Sequence, residues 1–71
     1  MKEKTSESQA LRELFKKGAL VELDMLLMYE DFIEKFDDDK IKDELKIIKD
    51  QEIGHIELFT KIINRIDELY L

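Results

Sequence analysis

Apolar side chains in the first half of the chain recur at intervals of three and four. Leu11, Leu14, Phe15, Gly18, Met25, Leu26, Tyr29, Phe32, Ile33 and Phe36 fall on one stripe, and Glu22 interrupts it. This is the spacing of one face of an α-helix, and it predicts a helix over about 7–36. A second stripe runs through Ile41, Leu45, Ile48, Phe59, Ile62, Ile66 and Leu69, interrupted by Glu52 and His55. It predicts a helix over about 39–70. Ser6 followed by Gln9 offers a capping box for the first helix, with Ser8 an equally good cap. Residues 1–5 have nothing to hold them and are expected to fray. Asp37, Asp38 and Asp39 separate the stripes. One of them caps the second helix, and its neighbours suit the positive end of the helix dipole. So short a connection makes the pair antiparallel, an αα-hairpin roughly 45 Å long at 1.5 Å per residue. Residues 1–71 are read as one all-α domain with no internal repeat.

A lone hairpin does not account for all the apolar positions. Between Ala19 and Tyr29 the first helix is apolar almost all the way round, with Glu22 and Asp24 as exceptions. A helix apolar on every side is buried on every side, so other chains are expected to cover it. Two hairpins make a four-helix bundle, and the width of the girdle suggests further assembly beyond the dimer.

Composition narrows the setting. A chain of 71 residues buries little surface and leans on partners, disulfides or metals. Without cysteine, disulfides and thiolate metal sites are excluded. The formal charge of −6 disfavours nucleic acid and anionic membrane as partners. The longest apolar run, Met25 to Tyr29, is far too short to cross a bilayer. The opening residues MKEKTSES do not read as a secretory signal, so a cytoplasmic protein is expected.

The interruptions in the stripes carry the chemistry. Glu22 is the one acid on the first stripe, and Glu52 and His55 are the ionisable groups on the second. Residues at one level of an antiparallel hairpin are equidistant from its turn. Glu22 and the Glu52/His55 pair are equidistant from Asp37–Asp38, the turn already chosen on other grounds. An unpaired carboxylate in an apolar core costs several kcal/mol, so such groups pair or bind metal. Three ligands are too few for a closed site. A two-fold dimer supplies four glutamates and two histidines, the di-iron carboxylate set. Oxygen-rich ligation with one imidazole per metal suits iron or manganese, with zinc also admissible. Glu-x-x-His alone is a weak motif in a glutamate-rich chain; its placement opposite Glu22 gives it weight. The competing reading is a buried ionic cluster that sets pairing without metal.

Over roughly residues 8–66 this pattern resembles the ferritin-like superfamily, most closely the encapsulated ferritins and other half-ferritins, whose single hairpin dimerises to build the centre. The resemblance rests on Glu22 and the Glu52-Ile53-Gly54-His55 motif. It implies that Glu22 bridges two irons, with Glu52 and His55 as terminal ligands. It implies that Tyr29 is the family's aromatic close to the centre, and that Asp24 stands where encapsulated ferritins carry an acidic metal-uptake residue. Val21 replaces the acid expected beside that residue. The implied activity is a ferroxidase that oxidises Fe(II) with O₂ or peroxide for iron detoxification or storage, within an encapsulin-type shell protein in some relatives. A rubrerythrin-like peroxide reductase is the alternative in the same superfamily, although the cysteines of the rubrerythrin electron donor are absent. A non-catalytic helical oligomerisation module is the alternative outside it. Gly18 offers room for an access path, and Gly54 room for close helix approach beside His55.

Overall fold

A computed structural model describes residues 3–70, and every structural statement below concerns these residues. The chain is two helices and no strand, α1 (Ser6–Lys35) and α2 (Asp39–Leu69), packed side by side as a hairpin. Its extents of 53 × 14 × 12 Å are those of a two-helix rod.

Both helices start at side-chain caps. Thr5 is the cap of α1, so neither Ser6 nor Ser8 holds that position. The Thr5 hydroxyl accepts from the Ser8 amide at 3.0 Å, and the Ser8 hydroxyl accepts from the Thr5 amide at 2.9 Å. This reciprocal box satisfies two amides that the first turn would otherwise leave unpaired. It also corrects the expectation of a frayed segment at Thr5. Met1 and Lys2, named in that expectation, lie outside the described residues, as does Leu71. At the turn, Asp38 caps α2 by accepting from the Ile41 amide at 2.9 Å. Asp39 follows in the first turn, where the helix dipole favours a carboxylate.

Contacts between the helices are specific but thin. Phe15 and Phe59 meet edge-to-face with ring centroids 5.5 Å apart. Gly18 lies beneath Phe59: a Cβ there would sit 3.1 Å from Phe59 Cε2. The space that Gly18 opens is therefore filled by a ring and is no access path. Gly54 has nothing within 4 Å of the position a Cβ would take, so close approach of α1 is not its reason either. Arg12 of α1 donates to both carboxylate oxygens of Asp67 of α2, at 2.7 and 3.3 Å. Lys49 of α2 stands 3.5 Å from Glu30 of α1.

The hairpin buries little. Ile66 is the buried hydrophobic residue, and no large side chain is fully enclosed. The chain exposes 5617 Å². A compact chain of 8.5 kDa exposes about 4,650 Å² on the usual size scaling, so roughly 1,000 Å² is in excess. Leu14, Leu20, Val21, Leu27, Met28, Ile47 and Leu58 are each more than half exposed. No helix is long and apolar enough to cross a membrane.

Two predictions follow from these local environments. Gly54→Ala should stabilise the fold by about 1 kcal/mol, because alanine restricts the unfolded chain and favours helix while its methyl meets nothing. Urea or thermal denaturation followed by circular dichroism measures it, and a loss of stability would show that another chain packs on that surface. Asp67 tests the cross-helix pair. The hydrogen bond from Arg12 holds its carboxyl below the ordinary carboxylate range. A carboxyl depressed on folding contributes stability above its unfolded pKa and loses it as pH falls through the folded value. Asp67→Asn should therefore lower Tm slightly at pH 7, with the gap to wild type closing as pH falls through the depressed titration of the folded Asp67 carboxyl.

Candidate metal centre

Midway along the hairpin the apolar seam between the helices is broken by three polar side chains. Glu22 comes from the middle of α1, and Glu52 and His55 from the middle of α2. One ligand atom from each of the three lies within 4.8 Å of the others. Helix geometry explains why two of them act together: residues three apart lie on one face, so Glu52 and His55 project to the same side of α2. The antiparallel register supplies the third.

The three are not equally enclosed. Glu52 retains 9 % of its accessible surface. The Glu22 side chain is 20 % exposed and that of His55 53 % exposed. The cluster thus has a closed floor at Glu52 and opens through the imidazole. Glu22 Oε2 and Glu52 Oε2 are both buried with no hydrogen-bond partner. His55 Nδ1 approaches Glu22 Oε2 at 3.7 Å, beyond hydrogen-bonding distance. An unsatisfied buried acceptor costs of the order of 1–3 kcal/mol, and more when it carries charge. Neither cation that spans the helices relieves this, because Arg12 stands against Asp67 and Lys49 against Glu30.

Two carboxylate oxygens without a hydrogen-bond partner, with an imidazole nitrogen 3.7 Å from one of them, are suited to a cation. A divalent metal bound by such groups sits about 2.1 Å from each ligand atom. Two atoms 3.7 Å apart already satisfy that condition, whereas a pair at the 4.8 Å limit must close by about 0.6 Å. The donor set is two oxygens and one nitrogen, which favours iron, manganese or zinc over soft ions that take thiolates. One hairpin leaves much of the coordination shell to be supplied from elsewhere.

The remaining candidate residues fall differently. Tyr29 is half-buried on the same stripe as Glu22, two turns further along α1. Side chains in a helix lean toward its N-terminus, which directs the Tyr29 ring back toward the turn carrying Glu22. Asp24 is exposed and lies two residues, about 200° round the helix, from Glu22. It is not brought to the cluster within this hairpin. No further His, Asp or Glu joins the three among the described residues. No protein-family model, curated protein or solved structure matches this chain.

The cluster predicts opposite responses of apo and metal-loaded protein. Glu52→Gln keeps the side-chain shape and removes a buried charge, so it should raise the Tm of metal-free protein. The same variant should lose the stabilisation that metal gives wild type, about 2.7 kcal/mol when free metal is 100-fold above Kd. Thermal melts with EDTA and with anaerobic Mn(II) or Zn(II) check both signs.

Proposed function

We propose that two copies of this chain assemble a dinuclear metal centre that oxidises Fe(II), a ferroxidase-type activity serving iron detoxification or storage. The observation that carries the reading is the pair of buried carboxylate oxygens, one from each helix, left without donors beside an imidazole. A two-fold pairing of hairpins would close a four-helix bundle over the exposed apolar surface. It would also double the donor set to four glutamates and two histidines. Four carboxylates balance two divalent ions, so the neutral assembly is the one with two metals bound.

In this scheme Fe(II) is the substrate and the side chains do the positioning. By the resemblance, Glu22 would bridge the two ions, and the Glu52 and His55 of each chain would serve together as terminal ligands to one of them. Each Fe(II) surrenders one electron. Two ions with two protons reduce O₂ to hydrogen peroxide, or reduce hydrogen peroxide to two waters. Carboxylate ligands stabilise Fe(III) over Fe(II) because the higher charge gains more from the same negative oxygens. The low-dielectric seam strengthens that preference. The same donors accept manganese or zinc, which makes these ions useful redox-silent or redox-stable probes.

Aerobic Fe(II) oxidation tests the proposal. Wild type should accelerate the appearance of Fe(III) absorbance over the uncatalysed reaction. Glu22→Ala and His55→Ala should each lose at least 10- to 100-fold in rate, roughly the scale of loss for groups that merely orient a ligand. Equal rates in all three proteins would leave a polar cluster that only sets helix pairing. Fast turnover with hydrogen peroxide and an added reductant, with slow reaction toward O₂, would assign the centre to peroxide reduction instead.

A further inference from the structure

Apolar side chains that the hairpin leaves uncovered line one side of the rod, and the polar cluster opens among them. Val21, Met25 and Phe32 of α1 and Ile48 and Ile62 of α2 are all exposed. Each stands one position before a residue of the inter-helix seam: Glu22, Leu26, Ile33, Lys49 and Ile63 respectively. One residue is about 100° of helix rotation, and the same rotation in two antiparallel helices leads to a common face. His55, one position before Ile56, belongs to that face, and its side chain is 53 % exposed.

Met25 is the member of this uncovered face whose side chain can be oxidised without losing a ligand. It follows Glu22 by three positions, so its Cβ lies about 5–6 Å from that of Glu22. Long side chains in a helix lean toward its N-terminus, which carries the Met25 thioether over the turn that holds Glu22. Met28 is the contrast within the same helix. It lies about 9 Å along the axis from Glu22 and about 120° round it, turned away from the seam. Exposure ranks the two the other way, with Met25 at 36 % and Met28 at 55 %. An oxidant in solution therefore meets Met28 first, whereas an oxidant released at Glu22, Glu52 and His55 meets Met25 first. A thioether is a poor ligand for the hard ions that two carboxylates and an imidazole suit, so Met25 stands beside the cluster without joining it.

We propose that Met25 is a redox-modification site, oxidised to the sulfoxide by hydrogen peroxide formed at the neighbouring centre. The proposal rests on reading Glu22, Glu52 and His55 as a centre where Fe(II) reduces O₂ to peroxide. The step is a two-electron oxygen transfer. The sulfur lone pair attacks one peroxide oxygen, and an S–O bond forms as the O–O bond breaks. The other oxygen leaves as water, carrying both peroxide protons. Met25 is oxidised, peroxide is reduced, and no further electron donor is needed. The product sets a polar group in the apolar stripe beside the cluster, and a sulfoxide reductase drawing on a thiol restores the thioether. Peroxide that the centre does not turn over is thus consumed by a side chain that holds no metal.

Wild-type protein oxidising Fe(II) in air, with and without catalase, tests the site. Peptide mapping by mass spectrometry measures sulfoxide at each methionine while absorbance follows Fe(III). Met25 should be oxidised ahead of Met28. Catalase, which removes peroxide only from solution, should suppress the Met28 product and spare that of Met25. Hydrogen peroxide added to metal-free protein should reverse the order of the two. Met25 leading there as well overturns the proposal, because its lead then owes nothing to the centre. Met28 leading during Fe(II) oxidation, or catalase abolishing the Met25 product, overturns the site and leaves the Fe(II) oxidation standing. Accelerated Fe(II) oxidation with neither methionine modified has the same meaning. Fe(II) oxidation no faster than without protein overturns the centre and the site together.

Discussion

A chain that leaves α1 after Lys35 and enters α2 at Asp39 reverses direction within Phe36, Asp37 and Asp38. So tight a reversal permits little sliding of one helix along the other, and the Asp38 cap pins where α2 begins. Every cross-helix relation in the molecule descends from this register. Phe15 meets Phe59, Arg12 meets Asp67 near the open end, and Glu22 meets Glu52 and His55 midway. Insertion of a single residue within α2, between Asp39 and Glu52, would rotate everything after it by about 100° and scatter the contacts of Glu52, His55, Phe59 and Asp67.

The register creates a conflict of forces at the middle of the rod. Hydrophobic contact along the seam holds the helices together, yet at its centre two carboxylate oxygens are shut away from water without a donor. Leucine at position 52 would pack the same seam with no such cost. A buried charge is a net gain only where something compensates it, and the two cations that span the helices, Arg12 and Lys49, stand against Asp67 and Glu30 instead. The cluster weakens the isolated hairpin, and this is the physical ground for reading it as a site for a cation. The same conflict links the cluster to the uncovered face, because His55 belongs to both.

Little of the stability can come from the hairpin's own interior. Ile66 is buried, but most large apolar side chains are not, and the ion pairs lie at the surface where such contacts contribute weakly. Local devices carry a correspondingly larger share: the Thr5–Ser8 box, the Asp38 cap and the fit of Phe59 over Gly18.

Periodicity alone determined the helical character, the two-helix division and the turn, because spacings of three and four over some thirty residues leave no competing pattern. It also singled out Glu22, Glu52 and His55, since charge on an apolar stripe violates the rule that generates the stripe. What only the tertiary structure decided depends on distances that no spacing encodes. Thr5 took the cap because its hydroxyl and that of Ser8 can exchange bonds, a choice among neighbouring hydroxyls that sequence leaves equivalent. Gly18 proved to be the seat of Phe59, a contact between residues far apart in the chain. Asp24 shares a turn with Glu22 but not its direction. The depth of Glu52, the openness of His55 and the missing donors on both carboxylates emerge only once the helices are laid together, because burial belongs to the pair and not to either strand of sequence.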